Sequence, residues 1–316
     1  MTGLALSGRS RATLFFALAA ACLLPWVGPA VALAAGILFS LLAGNPAPER
    51  TAAFAKTLLQ VSVVGLGFGL SLGTVVRVGA RSAVYTVVGI SLTLALGALL
   101  GRLAGTAGPL STLISFGTAI CGGSAIAAMA PVVKAKSEEV AVSLATVFTL
   151  NATALLLFPA VGHLLHLDQG AFGLWAGLAI HDTSSVVGAA SGYGAQALSV
   201  ATTVKLTRAL WIMPCVLGAA LVVRSDQKAR FPLFVAGFVV AATVRTLLPS
   251  LAPLWGVLVA VARQSLVVTL FLIGTGLTRE VLRRVGVRPL AQGIVLWLLV
   301  GGATLAAIVT GLIPPL

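Results

Sequence analysis

"TAICGGSAIAAMAP" (118–131) places two glycines and a serine inside what would otherwise be a good apolar helix. Sixty residues on, "LAIHDTSSVVGAA" (178–190) interrupts a second apolar run with a histidine, an aspartate and three hydroxyl residues. The surrounding chain explains why such breaks matter. Its 316 residues are 59% hydrophobic and only 9% charged, with a mean hydropathy of +1.10. A soluble domain carries about 25% charged residues, so this chain reads as an integral membrane protein that uses lipid as its solvent. Unpaired backbone groups in hydrocarbon cost several kcal/mol each, and irregular backbone is tolerated there only inside protein or along a wet cavity. The two breaks are therefore the places to look for function.

Working outward, the spacing of Pro, Gly and charge predicts eleven apolar segments: 12–24, 30–43, 54–72, 82–103, 110–133, 140–165, 171–191, 198–223, 231–248, 254–277 and 290–313. The expected fold is an all-α polytopic membrane protein, one domain over 1–316, with about nine to eleven transmembrane segments. Arg9 and Arg11 before an apolar run imitate a signal peptide. The run resumes at once to Leu42, so a first span is the preferred reading. The formal charge is +13. The basic residues are scattered between apolar runs rather than gathered in a patch, which argues against nucleic-acid binding. They suit cytoplasmic loops under the positive-inside rule, or in part an anion pathway. Arg9 and Arg11, Arg50 and Lys56, "RSDQKAR" (224–230) and "TREVLRRVGVR" (278–288) are expected inside, and the C-terminus outside. Cys22, Cys121 and Cys215 show neither disulfide nor metal spacing, so no metal site or cofactor is expected.

Two internal repeats stand out. At an offset of 60, "FGTAICGGSAIAAMA" (116–130) lies over "AGLAIHDTSSVVGAA" (176–190), matching Gly117 with Gly177, Ala119 with Ala179, Ile120 with Ile180, Ser124 with Ser184 and Ala130 with Ala190. At an offset of 207, "GFGLSLGTVVRVGAR" (67–81) lies over "GTGLTREVLRRVGVR" (274–288). Inverted repeats with interrupted helices are a transporter architecture. The segments of the first pair are two apart, so as full crossings they would run parallel. As re-entrant hairpins they would be inverted, and Lys134 and Lys136 would move to the cytoplasmic side. Sequence alone leaves both arrangements open.

The breaks also select the candidate site. A half-helix beginning near Ser124 would aim N–H groups at an anion, with Thr118, Gly122, Gly123 and Ser124 around it. The bland alternative is close packing through small residues. His181 and Asp182 are ionisable groups in an apolar segment, where such groups are usually functional. His181 could relay a proton, and Asp182 could bind a coupling cation or proton or pair with a base. Thr183 and Ser184 offer neutral ligands. The alternative is ordinary N-cap chemistry. In "VKLTR" (204–208), Lys205 and Arg208 share a helix face, either as site cations paired with Asp182 or as side chains snorkelling to an interface. Arg245 and Arg263 are weaker candidates. Asn151 suits a helix–helix hydrogen bond.

"GTAICGGSAIAA" (117–128), "FGLWAGLAIHDTSSVVGAA" (172–190) and "ATTVKLTRALWIMP" (201–214), in that order, resemble the YeiH-type family of bacterial inner-membrane sulfate exporters. The likeness extends from "GILFSLLAGN" (36–45) to "FLIGTGL" (271–277). It implies inverted five-helix repeats with two crossing broken helices. It also implies one break at Gly122, Gly123 and Ser124, a polar core of His181, Asp182, Lys205 and Arg208, and "GTGL" (274–277) in the second broken helix. The offset-60 repeat does not fit that scheme.

The expected function is a secondary active transporter of a small inorganic or sulfur-containing anion, with H⁺ or Na⁺ coupling, in the bacterial inner membrane. No GxxxxGK[ST] motif for direct ATP drive occurs. The competing readings are a passive channel, an intramembrane enzyme and a scaffold subunit. Neither HExxH nor a convincing nucleophile–base pair favours the enzyme. The expected partners are the anion, H⁺ or Na⁺ and membrane lipid, without nucleic acid, and a homodimer is an assembly open to the chain.

Overall fold

In hydrocarbon the backbone has no water to bond, so helix is the local solution for an isolated apolar run. The computed structural model describes residues 8–106, 108–223, 232–276, 278 and 286–314, and every regular element among them is helical. The helices are α1 (Gly8–Ala21), α2 (Pro29–Ala43), α3 (Pro48–Gly67), α4 (Leu72–Ala104), α5 (Gly108–Ala119), α6 (Gly123–Met129), α7 (Ser137–Leu164), α8 (Gln169–Ala179), α9 (Thr183–Tyr193), α10 (Ala195–Leu210), α11 (Ile212–Val223), α12 (Leu233–Leu247), α13 (Ala252–Gly274) and α14 (Val287–Val309). Among the described residues, five stretches are long and apolar enough to cross a membrane: α4, α7, the α10–α11 run, α13 with its leading 3₁₀ turn, and α14. Local chemistry sets the ends. Pro29 and Pro48 open their helices, where a missing N–H costs nothing. The Ser71 hydroxyl accepts from Thr74 N (3.2 Å) at the start of α4, and Asp168 accepts from Ala171 N (2.9 Å) at the start of α8.

The two interrupted segments turn back on themselves. In the first, the Ile126 side chain of α6 returns against Gly117 of α5. A straight continuation would place those residues about 13 Å apart along the axis. Leu110, near the start of α5, shares a surface hollow with Ser137–Val142 at the start of α7, so the hairpin begins and ends on one face. In the second, the Phe172 and Tyr193 rings stack with centroids 3.7 Å apart. Tyr193 Oη donates to Leu167 O (2.6 Å), and Gln169 Oε1 accepts from Gln196 N (2.9 Å). The beginning of α8 and the end of α9 are therefore neighbours.

Helix α7 shows that the hairpins enter from opposite faces. Its first turns lie beside Leu110, Val147 touches Gly117 and Gly122, Asn151 bonds His181, and Gly162 meets Phe172 and Tyr193. The tips meet halfway: a Cβ on Gly122 would lie 3.3 Å from Asp182 Cβ. The offset-60 repeat is thus an inverted pair, and its breaks at 120–122 and 180–182 correspond residue for residue. The crossing broken helices implied by the resemblance are not what forms. Helix α13 ends inside "GTGL", at Gly274, which also makes a close contact with Leu33 and Gly36 of α2. The second copy of the offset-207 repeat runs into 277 and 279–285, outside the described residues.

The helices sort into two groups. One contains α4–α11 and α14 around the hairpins, and α14 lies along α4, α5, α7 and α8. The other contains α1, α2, α3, α12 and α13. Between them, α9 packs on α2 and α13, and Leu33, Leu155 and Leu270 form a joint apolar cluster. Tracing the path places Arg9, Arg11, Arg50, Arg102, Lys134, Lys136 and Arg288 towards one face, which the positive-inside rule makes cytoplasmic. Arg224, Lys228, Arg230, Arg279, Arg283 and Arg284 lie outside the described residues.

The re-entrant path has a direct test in a background without native cysteines. His166→Cys and Gln196→Cys should react with an impermeant thiol reagent from the same side, and Arg102→Cys and Lys136→Cys from the other. Opposite-side labelling of His166→Cys and Gln196→Cys would mean that 171–191 crosses.

Candidate functional site

Two hairpin tips in mid-bilayer leave four helix ends without continuation. The last carbonyls of α5 and α8 face inward, and each such end carries roughly half a negative charge. Helix α10 supplies the answer. Arg208 lies about 20 Å along it from Ala195 and is 2% exposed. Its Nε donates to Ala119 O, Nη1 to Leu178 O and Nη2 to Thr118 O (3.3 Å). One guanidinium therefore holds the carbonyl ends of both hairpins. Lys205, one turn earlier and 0% exposed, reaches Ile120 O at 3.4 Å. An ammonium carries three donors, so this single long bond leaves most of its capacity unused.

The other ends are treated differently. Asp182 is the N-cap of α9: its carboxylate accepts from Ser184 Oγ, from Ser185 N (3.2 Å) and from Ser185 Oγ (3.3 Å). The protein's own carboxylate thus occupies the place of an anion at that helix start. Gly122, at φ +70°, lets the chain reverse without a side chain between the tips. Behind Asp182, His181 is buried, and its N–H donates to Asn151 Oδ1 (3.2 Å). Both His181 ring nitrogens, Asn151 Nδ2, Thr118 Oγ1 and Thr202 Oγ1 are buried without a hydrogen-bond partner. Unpaired buried polar groups cost about 1–3 kcal/mol apiece. Such a concentration beside a buried lysine and arginine marks this as the candidate site.

The structure revises several sequence expectations. Lys205 and Arg208 do not snorkel, and they do stand at the first break. Arg208, however, is committed to backbone carbonyls rather than presented to a cavity. Asp182 makes no ion pair with Lys205, because its oxygens go to Ser184 and Ser185. Helix α6 has only seven residues and no side-chain cap, Gly123 backs on Phe148 and Leu144, and Ser124 is exposed. The anion-facing half-helix expected at Ser124 is thus a single short arm of a hairpin. The groups around Lys205 are closed in rather than lining an open chamber. Thr183 and Ser184 are buried at the second tip. Asn151 makes its interhelical bond, but to the second break. Sequence reasoning missed Thr202, which a three-residue spacing from Lys205 could have flagged.

Arg208→Ala should strip three buried carbonyls of their donor and lower the melting stability of detergent-solubilised protein by about 3 kcal/mol or more. Arg208→Lys, which keeps the charge without the planar fork, should recover less than half of that. Unchanged melting in Arg208→Ala would remove the guanidinium from its structural role.

The family model described as conserved hypothetical protein 698 matches residues 13–293. A UPF0324 membrane protein of Geobacter sulfurreducens is 63% identical, over 93% of this chain and 95% of its own length. Others from Bdellovibrio bacteriovorus and Bacteroides thetaiotaomicron are 52% and 47% identical, covering 92% and 90% of this chain and 91% and 87% of their own lengths. No solved structure matches. These likenesses and the apolar helices make the protein a multi-pass protein of a bacterial membrane. The chain belongs to the conserved hypothetical protein 698 family.

Proposed function

We propose that this protein is a secondary transporter of a small anion, working by alternating access rather than as an enzyme. The observation that carries the reading is the meeting of two re-entrant tips, one from each face, beside a buried lysine with spare donors. Interrupted helices at mid-bilayer are how transporters expose backbone groups to a substrate. A tip from each side gives each face its own barrier to the same point. Lys205 supplies the charge for an anion. His181, Asn151, Thr118 and Thr202 supply neutral donors and acceptors, and Ser184 and Thr183 sit at the second tip. Asp182 and His181 are the groups that would carry a coupling proton, or Asp182 a sodium ion. Export of sulfate or a related sulfur oxyanion is the finer form of this reading, and it rests on the motif resemblance alone.

Protein in liposomes loaded with sulfate, sulfite or thiosulfate should show saturable counterflow of at least one labelled anion. Lys205→Gln should slow it by at least about tenfold, as expected for losing a charge-assisted bond. Flux linear in concentration would indicate a channel. Flux indifferent to Lys205→Gln would remove the lysine from the pathway.

Asp182→Asn separates coupling from structure, because asparagine caps helices about as well as aspartate. The variant should keep its melting temperature and lose the pH or sodium dependence of transport. Dependence that survives intact would leave Asp182 as a cap only.

A further inference from the structure

The two hairpins are copies of one motif, yet their outer arms are clothed differently. In the second, α9 is covered by α2 and α13 as well as by α7, α8 and α10, and Ser184, Val187 and Ala190 are 3%, 0% and 0% exposed. In the first, α6 packs on α5, α7 and α11 and buries Ala125, Ile126 and Met129. Its positions equivalent to those of α9 are bare: Ser124 and Ala127 are exposed and Ala130 is half-buried.

The bare side is not dressed for lipid. Ser124, Ala127, Pro131 and Lys134 are exposed in steps of three and four residues, from the tip to the cytoplasmic base of the hairpin. A surface against acyl chains carries large apolar side chains. Helix α4 does so, with Val84, Val88, Leu92, Leu99 and Leu103 all more than half exposed. Among the described residues of 104–147, no large apolar side chain is exposed.

The facing wall belongs to α7, where Ser137, Ala141, Leu144 and Phe148 share one side of the helix. Ser137 and Ala141 line the surface hollow of about 770 Å³ at the cytoplasmic end, together with Leu110 and Glu138. Leu144 and Phe148 lie against Gly123, 3.4 and 3.1 Å from where its Cβ would be. The hollow is thus continued along about 16 Å of α7 to the tip. What lies behind the tip is the candidate site. Ile120, four residues before Ser124, gives its carbonyl to Lys205, and the Thr118 hydroxyl and both His181 ring nitrogens are buried without a partner.

We propose that the bare side of α6 and this face of α7 border a water-filled cleft that opens to the cytoplasm, ends at Ser124 and leads a small anion to the inner side of the first tip. The structure is then the inward-facing state. The first tip is the barrier on that side, and the α2–α13 cover of α9 is the barrier on the other. The cleft stands on exposure and side-chain chemistry, and its use by an anion rests on the transport reading.

Thiol labelling in a background without native cysteines reads the cleft directly. In inside-out membrane vesicles an impermeant anionic thiosulfonate should modify Ser124→Cys and Ala127→Cys. It should do so at least about tenfold faster than Ser184→Cys and Val187→Cys, whose thiols would react only through local opening. Hydrogen exchange of the unaltered protein in lipid nanodiscs needs no substitution: 123–129 should exchange faster than 183–193. Equal exchange of the two arms would overturn the proposal. So would modification of Ser124→Cys and Ala127→Cys by a lipid-soluble maleimide alone, which would assign the stripe to lipid. Reaction with neither reagent would assign it to contact with another protein surface and overturn the cleft as well. Labelling as expected, with no counterflow of sulfate, sulfite or thiosulfate, would uphold the cleft and remove the transport reading.

Discussion

Everything at the centre of this protein depends on where the carbonyl ends of two half-helices go. A re-entrant hairpin stops in hydrocarbon, and its last carbonyls have neither a following turn nor water to bond. Here two hairpins stop at the same depth, and Arg208 bonds the carbonyls of Thr118, Ala119 and Leu178 together. A planar fork with five donors can do this, whereas an ammonium cannot span the same set. Without that side chain these three carbonyls would lose the donor they share. With it, they are fixed to α10 and to each other.

This division of labour separates Arg208 from Lys205 although both are buried cations on one face of one helix. Arg208 spends its donors on the fold. Lys205 has one long bond and stands among buried polar atoms that the protein does not pair. Asp182 completes the arrangement from the other sign, capping α9 at the tip that meets Gly122. Opposite charges are therefore placed near one another, each tied to a different hairpin tip, without collapsing into an ion pair.

Much of this was legible in the sequence, for identifiable reasons. Glycines and ionisable residues inside apolar runs are conspicuous, so the breaks at Gly122 and Asp182 could be named in advance. Their common spacing of 60 revealed the repeat, while full crossings and re-entrant paths both stayed open, the second moving Lys134 and Lys136 to the cytoplasmic side. What could not be read was anything written in backbone atoms. The ligands of Arg208 are carbonyls, which every residue has, so its pairing with Asp182 or an anion looked equally natural. "GTGL" was ambiguous because glycine serves both helix ends and close helix contact, and Gly274 does both: α13 ends there and α2 packs on it. The short reach of α1 and α2 was legible as well, because the apolar runs 12–24 and 30–43 fall below the roughly 20 residues that a span needs.

Helix α7 acts as the ruler of the assembly. One hairpin is hung from each of its ends, and the tips touch near its middle, at Val147 and Asn151. The contact holds only while the helix equals the summed depths of the two hairpins. An added turn would move the tips about 5.4 Å apart, too far for one guanidinium to bridge, and a lost turn would drive them together. Loops at either surface can lengthen freely, but the 28 residues of this helix cannot. What brings the two tips together is thus also a length, set by geometry, and not only the side chains along it.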